Sequence, residues 1–363
     1  MASSRIKCIG ILTAGGDCPG LNAVIRAVVK TATRQGIDVV GVRDGFLGLI
    51  QNSMDLLDTQ DVAHILTQGG TILGSSNKDD PFHFLQKNAS GKETTVDRSR
   101  DVIANLKRLG IQALVVLGGD GSMTLAEKFS KKGVKIIGVP KTIDNDIVGT
   151  DQTFGYDTAV SVATESIDRL QSVAASHHRV MIVEVMGRYA GWLALKAGIA
   201  GGADIILIPE IPYQEKKIGE TILQRQRVGK KSSIIVVAEG AFPKGGSMVF
   251  EHINHRQRAR LGGICRRLAH HLEVKHGVET RSVTLGHTVR GGTPTAFDRT
   301  LATLFGVYAM ELVRKSQFGR MVVWKNGALS SVPLSVPGGK IRKVPLDHAM
   351  VQAAKNIGIS FGV

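Results

Sequence analysis

The chain has 363 residues, of which 43% are hydrophobic and 21% are charged, and its 46 Lys and Arg against 31 Asp and Glu give a net charge of +15. This apolar content excludes a disordered chain, and three cysteines without metal-type spacing exclude a disulfide scaffold. No signal-peptide pattern or uninterrupted apolar span is visible, so we expect a cytoplasmic protein without a membrane partner.

The excess positive charge is concentrated in two segments. Residues 214–283 hold fourteen basic and six acidic residues, and residues 315–363 hold seven and one. Such an excess is typical of proteins that bind nucleic acids, acidic membranes or phosphorylated small molecules. Aromatic residues make up only 5% of the chain, and it has no RNA-recognition motif or zinc finger. We therefore expect no nucleic-acid partner, although a nucleic-acid-binding protein remains an alternative class.

Short apolar runs alternate with amphipathic segments along the chain. The predicted strands are 8–13, 38–42, 113–117, 135–139, 179–185, 205–208, 233–238 and 282–285. The predicted helices are 21–34, 100–109, 158–175, 253–276 and 298–315. This alternation predicts an α/β fold with mainly parallel sheets flanked by helices, and the length suits two lobes or one large α/β unit. Ligands of such sheets bind beyond the carboxyl ends of the strands.

Two glycine-rich turns follow predicted strands and precede helices. In the first, Gly15 and Gly16 let backbone N–H groups approach an anion closely, although a tight turn alone would also explain them. The second, Gly118-Gly119-Asp120-Gly121-Ser122, adds a carboxylate that can hold Mg²⁺ beside phosphate oxygens. Helix capping by Asp120 or Ser122 is the alternative interpretation. Neither a GxxxxGK[ST] nor a GxGxxG motif occurs in the chain.

A third turn carries two carboxylates, a cation and a hydroxyl. The strand 135–139 ends in Pro140-Lys141-Thr142-Ile143-Asp144-Asn145-Asp146. Asp144 can accept a hydroxyl proton, Asp146 can organise a metal environment, and Lys141 can neutralise a transferring phosphoryl group. An Asx-rich structural turn is the alternative.

Further along the chain, cations lie at the ends of other predicted strands. Arg188, Arg281 and Arg290 are suited to phosphate because a planar guanidinium can bond two oxygens at once. For any one of these arginines alone, a solvated surface charge is favoured over a phosphate ligand.

Seven motifs occur in the order found in the 6-phosphofructokinases, and the chain resembles that family over most of its length. The motifs are TAGGDCPGLN, GGTILGS, LGGDGS, PKTIDNDI, EVMGRYAGWLAL, AEGA and LGHTVRGGTP. The resemblance implies phosphoryl transfer to the 1-hydroxyl of fructose 6-phosphate, giving fructose 1,6-bisphosphate in glycolysis. It also implies a donor-binding lobe of residues 1–155 plus about 294–342, and a sugar-phosphate lobe of residues 156–293 plus about 343–363.

The resemblance assigns roles to individual residues. Asp144 would be the general base, with Lys141, Thr142 and Gly121 also catalytic, and Mg²⁺ would lie at Asp120. Donor contacts are implied for Gly15, Gly16, Lys78, Gly119, Asp120, Gly121 and Ser122. Sugar-phosphate contacts are implied for Thr142, Ile143, Asp144, Arg179, Met186, Gly187, Arg188, Glu239, Arg281, His287, Thr288, Val289 and Arg290. Because the family's counterparts of Arg179 and Arg281 reach in from a neighbouring subunit, a homo-oligomer with shared sites, a tetramer or a dimer, is expected.

The identity of the phosphoryl donor depends on two residues. ATP users of the family resemble this chain at Gly121, where pyrophosphate users generally carry Asp. Lys141 points the other way, since it resembles pyrophosphate enzymes, and the pair together resembles the mixed-substrate subgroup. We weigh Gly121 more heavily and expect ATP, with pyrophosphate as the alternative. A NAD or lipid kinase would match the GGDG turn but not PKTIDNDI.

Two positions depart from the family pattern. Lys78 stands where the simple bacterial enzymes place a donor-binding Arg, and it supplies a point charge without bidentate geometry. Gln171 occupies a position of the allosteric pocket where an Arg is expected, so we make no prediction about effectors.

Overall fold

The structure is a computed structural model that describes residues 6–87, 91–253 and 259–363. The chain divides into two units by its internal contacts. Unit 1 consists of Met1–Ile143, Ile147–Asp157 and Arg290–Ile341, and unit 2 of Asp144–Asp146, Thr158–Val289 and Arg342–Val363. The three residues Asp144–Asp146 thus belong to unit 2, although the strand before them lies in unit 1.

The elements of the described residues are numbered in chain order. The strands are β1 (Cys8–Thr13), β2 (Asp38–Val42), β3 (Met54–Leu57), β4 (Phe84–Lys87), β5 (Glu93–Val96), β6 (Ala113–Gly118), β7 (Ile136–Pro140), β8 (Val180–Val185), β9 (Ile205–Leu207), β10 (Ser233–Ala238), β11 (Phe250–Ile253), β12 (Ala259–Leu261), β13 (Thr280–Thr284), β14 (Arg320–Lys325) and β15 (Ala328–Pro333). The helices are α1 (Leu21–Arg34), α2 (Phe46–Gln51), α3 (Ser99–Arg108), α4 (Asp120–Lys131), α5 (Tyr156–His177), α6 (Trp192–Ala200), α7 (Glu215–Arg227), α8 (Ile264–His276), α9 (Ala296–Arg314) and α10 (Ala349–Asn356). A 3₁₀ turn spans Gly286–Arg290.

The main sheet of unit 1 has the strand order β15-β14-β7-β6-β1-β2-β3 in the described residues. The strands from β14 to β2 are parallel, and the two edge strands β3 and β15 are antiparallel to their neighbours. The central strands β6 and β7 are buried along their whole length, as expected for a parallel sheet with helices on both faces. On one face Phe129 of α4 stacks on Phe46 and contacts Phe82, with ring centroids 6.0 and 4.8 Å apart.

Unit 2 contains a smaller sheet with the order β13-β8-β10-β9, in which all paired strands are parallel. Its β8 and β10 are Val- and Ile-rich and fully buried. Residues of α7 and α8, among them Ile218, Ile222 and Leu272, pack against this sheet and form its core. The α/β fold with mainly parallel sheets flanked by helices, expected from the alternation, is therefore confirmed.

One predicted helix is wrong in its first half. The amphipathic pattern over 253–276 predicts a single helix, but the structure places β12 at Ala259–Leu261 and starts α8 at Ile264. Gly262 and Gly263 lie between them with φ of 142° and 84°, a conformation that ends regular structure and sets the start of the helix. Residues 254–258 lie outside the described residues.

Two short strands without a predicted counterpart, β4 and β5, pair with each other in antiparallel fashion. Their side chains are mostly exposed, so no apolar alternation marks them in the sequence. Among the described helices, none combines the length and the apolar character that crossing a membrane requires.

Candidate active site

Three neighbouring strands of unit 1 deliver the three turns singled out in the sequence. The strands β1, β6 and β7 are adjacent and parallel, so their carboxyl ends lie at one edge of the sheet. The N–H of Ala14 donates to the Leu117 carbonyl at 2.8 Å, and the N–H of Lys141 donates to the Gly118 carbonyl at 2.9 Å. These bonds bring the beginnings of all three turns side by side.

The second turn forms the N-terminus of α4. Gly119 is the N-cap and Asp120 is the first helical residue, so the N-cap residue itself offers no side chain to cap this end. Asp120 and Ser122 are the first and third residues of the helix, so neither is its N-cap residue. The helix dipole and the first-turn N–H groups make this end a favourable place for an anion. Ser122 packs directly against Gly118, where a Cβ atom would collide with the serine side chain.

Two cations lie beside the first turn. Lys141 is only 3% exposed, and its ammonium donates a hydrogen bond to the Gly16 carbonyl. Arg290 approaches the same turn and donates from Nη1 to the Asp17 carbonyl at 3.0 Å. The resemblance implies that Arg290 binds the sugar phosphate, yet the structure assigns this residue to unit 1, on the glycine-rich turn. Positive charge is thus concentrated where an anion can approach backbone N–H groups.

A pocket of about 300 Å³ opens next to this turn. It is lined by Gly15, Gly16, Asp17, Gly70, Thr71, Ser75 and Asn77. Asn22 of α1 holds the segment carrying Gly70, since its amide donates to the Gly69 carbonyl at 3.3 Å and its oxygen accepts from the Ile72 N–H at 2.9 Å. The GGTILGS motif, residues 69–75, is the sequence signal for this wall, and Lys78, the donor contact expected here, lies three residues after it. Lys78 is exposed and lies outside the described lining, where Asn77 takes the adjacent position.

The residues present fit a Mg²⁺ ion that arrives with phosphate rather than a resident metal. In the part of the chain that the structure describes, no cluster of three or more His, Cys, Asp or Glu side chains could hold a metal ion. Asp120 is half-buried at the first position of α4, next to the anion-binding helix end. One carboxylate combined with phosphate oxygens and water is the ligand set that Mg²⁺ commonly takes in phosphoryl-transfer sites.

Unit 2 brings a second group of predicted residues together at its own sheet edge. Met186, Gly187 and Arg188 follow β8, and Glu239 follows the adjacent strand β10. The Glu239 N–H donates to the Val185 carbonyl at 2.9 Å, and the Gly240 N–H donates to the Gly187 carbonyl at 3.1 Å. A Cβ atom at Gly240 would collide with the Arg188 carbonyl, so only glycine permits this close approach.

The 3₁₀ turn after β13 contributes the next predicted residues. His287 and Thr288 are exposed there, and Thr288 binds the Leu285 carbonyl through both its N–H and its hydroxyl. Val289 and Ile143 are fully buried, so their side chains belong to the core and only their backbone remains for a ligand.

Arg179 and Arg281 lie apart from this group. Arg179 precedes β8 and Arg281 is the second residue of β13, so both lie at the amino end of the sheet. The six residues of β8 separate that end from Met186 by about 20 Å. Both arginines form ion pairs with Glu279, at 2.7 and 3.2 Å. The structure therefore does not bring them to the strand ends that carry the other sugar-binding candidates of unit 2.

Burial affects the cysteines next to the site. It raises the pKa of Cys18 to about 12, although Lys141 and Arg290 act in the opposite direction, and it raises the pKa of Cys265 to about 11. A raised pKa disfavours the reactive thiolate, which at pH 8 falls to about one part in a thousand or less for both. Native protein at pH 8 is therefore expected to protect both thiols from iodoacetamide, as measured by mass spectrometry. Urea-unfolded protein serves as the control, and equal labelling rates in the two states would contradict the expectation.

Comparisons with known proteins agree with this arrangement. The family model described as Phosphofructokinase matches residues 8–313. The chain is 51% identical to "ATP-dependent 6-phosphofructokinase 2" of Clostridium perfringens over 361 residues, covering 98% of each chain. It is 46% identical to "ATP-dependent 6-phosphofructokinase" of Chloroflexus aurantiacus over 363 residues, covering 100% of this chain and 99% of the relative.

Solved structures show the same fold. Phosphofructokinase from Saccharomyces cerevisiae superposes with a TM-score of 0.78 at 33% identity, over 91% of this chain and 45% of that longer chain. Pyrophosphate-dependent phosphofructokinase from Marinobacter aquaeolei superposes with a TM-score of 0.79 at 22% identity, over 98% and 92%, a likeness of fold alone. The chain belongs to the phosphofructokinase family.

Proposed function

We propose that the protein is an ATP-dependent 6-phosphofructokinase, which transfers the γ-phosphoryl group of ATP to the 1-hydroxyl of fructose 6-phosphate. The products are fructose 1,6-bisphosphate and ADP, and this glycolytic reaction belongs to the cytoplasm. The observation that carries the proposal is the N-terminus of α4, which has Gly119 as its N-cap and Gly121 in its first turn. No described atom lies within 4 Å of the Cβ position at Gly121, apart from its own helix and chain neighbours. This space leaves room for the rest of a nucleotide beyond the terminal phosphates.

The two units divide the substrates between them. Unit 1 binds the donor, because its strand-end turns combine glycine backbone, a helix N-terminus and the buried cation Lys141. Unit 2 binds the sugar phosphate, because Arg188, Glu239 and His287 follow adjacent strands. A guanidinium and an imidazole suit a phosphate, and a carboxylate suits sugar hydroxyls.

Asp144 acts as the general base. Its carboxylate accepts the proton of the 1-hydroxyl as that oxygen forms a bond to the γ-phosphorus and the bond from this phosphorus to the bridging oxygen of ADP breaks. Lys141 and the N–H groups of α4 stabilise the negative charge of the phosphoryl oxygens. Thr142 contacts the sugar. Mg²⁺ bound at Asp120 would neutralise donor charge.

Gly121 favours ATP as the donor, and the surroundings of Lys141 weaken the evidence that this lysine gives for pyrophosphate. The Lys141 ammonium already binds the Gly16 carbonyl, so this lysine has a role in holding the first turn whichever donor is used. Its presence is therefore weaker evidence for pyrophosphate than an Asp at position 121 would be.

The acceptor is tested by offering fructose 6-phosphate, NAD and diacylglycerol separately with Mg·ATP and measuring ADP release in a coupled assay. Release with fructose 6-phosphate alone is the expected result. Release with NAD or diacylglycerol but not with the sugar phosphate would assign the GGDG turn to another kinase class.

The active site is shared between subunits of a homo-oligomer. Arg179 and Arg281 lie at the sheet end remote from Met186, so they serve the sugar-phosphate site of a neighbouring copy. Pairing with Glu279 keeps both guanidinium groups together at this surface.

Subunit mixing tests the sharing. Asp144→Ser and Arg281→Ala proteins, each expected to be nearly inactive, are dissociated and reassembled together. Random pairing should restore about a quarter of wild-type turnover, because an intact base then meets an intact arginine from the other copy. Asp144→Ser mixed with the Asp144→Ser/Arg281→Ala double variant is the control and should restore none. Failure of the first mixture to regain turnover would show that each subunit uses its own arginine.

A further inference from the structure

Arg342 holds the backbone of the segment that carries the proposed base. Its N–H donates to the Asp146 carbonyl at 2.7 Å, and its Nη1 donates to the Asn145 carbonyl at 2.8 Å. All of these residues belong to unit 2. One residue from the C-terminal part of the chain thus binds the carbonyl oxygens of the two residues that follow Asp144.

The backbone at this point has an uncommon conformation. Asn145 is 3% exposed and has a φ of 51°, in the left-handed region that residues with a Cβ atom seldom adopt. Such a conformation persists when the surroundings fix it. The guanidinium bond to the Asn145 carbonyl fixes it directly, and the direction of the neighbouring Asp144 side chain depends on it.

Arg342 is itself held by Trp192. Its guanidinium carbon lies 4.3 Å from the centroid of the Trp192 ring, and the indole N–H donates to the Arg342 carbonyl at 2.8 Å. The buried indole therefore binds both ends of the arginine, by a cation–π contact and by a hydrogen bond. An arginine held at both ends is a rigid support rather than a mobile surface cation.

Glu210 completes the support. Its Oε1 accepts from the Gly191 N–H at 3.0 Å and from the Val344 N–H at 2.9 Å, which joins the start of α6 to the residues just after Arg342. Because α6 begins four residues after Arg188, the same cluster connects the sugar-binding motif with the segment of the base.

We propose that Arg342 is a positioning residue for Asp144, and that the Arg342–Trp192 pair keeps the base at its working position relative to the sugar-binding motif. This inference rests on the proposed function, in which Asp144 accepts the proton. A base must lie within hydrogen-bond distance of the proton it removes, and a displacement of about 1 Å can cost about a hundredfold in rate.

The test replaces Arg342 by Met, which keeps an unbranched side chain and the backbone N–H but removes the guanidinium. The replacement is made in a Trp324→Phe background, so that Trp192 is the remaining tryptophan. We expect kcat to fall about 10- to 100-fold with KM for ATP within about twofold, because donor binding in unit 1 is not altered. Removal of the guanidinium from the indole face should also change the emission of Trp192. Arg342→Lys, which retains the charge without the planar fork, should recover part of kcat.

Lys343→Met is the matched control, since Lys343 is the adjacent exposed cation, and it should change neither kcat nor Trp192 emission. A wild-type kcat in Arg342→Met would overturn the inference. The inference would also fail if the loss of kcat in both Arg342 variants equalled the fraction of unfolded protein measured by circular dichroism. A failure of the proposed function would look different, because Asp144→Ser would then keep its turnover. An inactive Asp144→Ser with a fully active Arg342→Met would contradict only the role of Arg342.

Discussion

Replacement of Asp144 by Ser is expected to lower kcat for fructose 6-phosphate by about 10²- to 10⁴-fold, which is the usual contribution of a general base. Serine cannot accept the proton of the 1-hydroxyl at neutral pH, so the attacking oxygen loses its activation. Asp144 lies in the turn after β7 and contributes no apolar side chain to the core, so the fold should persist. Steady-state kinetics with Mg·ATP, together with circular dichroism and the unfolding midpoint in urea, separates catalysis from folding.

The control for this variant is Asp168→Asn, which removes one carboxylate from the exposed face of α5 in the same unit. It should keep wild-type kcat, because no predicted ligand contact involves that position. A kcat of Asp144→Ser close to that of Asp168→Asn would remove Asp144 from the role of base.

Replacement of Gly121 by Asp is expected to reduce kcat/KM for ATP by at least about 100-fold. Placing the new carboxylate beside the donor phosphates costs several kcal/mol, because both are negatively charged, and each 1.4 kcal/mol lowers kcat/KM about tenfold. The new carboxylate would stand in the first turn of α4, at the helix end where the donor phosphates bind. The protein should fold normally, because the space around position 121 is open and a carboxylate in the first turn of a helix interacts favourably with the helix dipole. Initial rates at varied ATP, with the unfolding midpoint measured in parallel, give the result.

Gly121→Asn separates charge from size, because asparagine has nearly the same shape as aspartate and no charge. Its loss of kcat/KM for ATP should be at least tenfold smaller. Equal losses in the two variants would mean that bulk excludes the donor, and an unchanged kcat/KM in Gly121→Asp would contradict the assignment of this helix end to the donor.

The strands and the turns that follow them could be predicted because their determinants are local. The bounds of β1, β2 and β10 match the apolar runs, since each strand is a short Val- and Ile-rich segment bounded by polar residues or glycine. The turns after β1, β6 and β7 could be expected at one edge of the sheet, because parallel strands have their carboxyl ends at the same edge. The antiparallel edge strand β15 was missed because its side chains are largely exposed and show no apolar run.

The parts of the site that could not be predicted from the sequence depend on contacts between residues far apart in the chain. Arg342 lies 197 positions from Asn145, in a basic segment that looks like solvated surface, so its two bonds to the base segment leave no trace in local spacing. The position of Arg290 against Asp17 is equally nonlocal. Conversely, the place of Arg281 at the amino end of β13 could be predicted, because the apolar run 282–285 begins directly after it.

The proposal that ATP is the phosphoryl donor is tested by a comparison of donors at fixed concentrations of fructose 6-phosphate and Mg²⁺. The initial rate of fructose 1,6-bisphosphate formation is measured with ATP, with ADP and with pyrophosphate at equal concentrations. We expect product with ATP and a rate at least about 100-fold lower with pyrophosphate, because the space at Gly121 is open. Product formation with pyrophosphate and none with ATP would contradict it and would make Lys141 the residue that decides the donor.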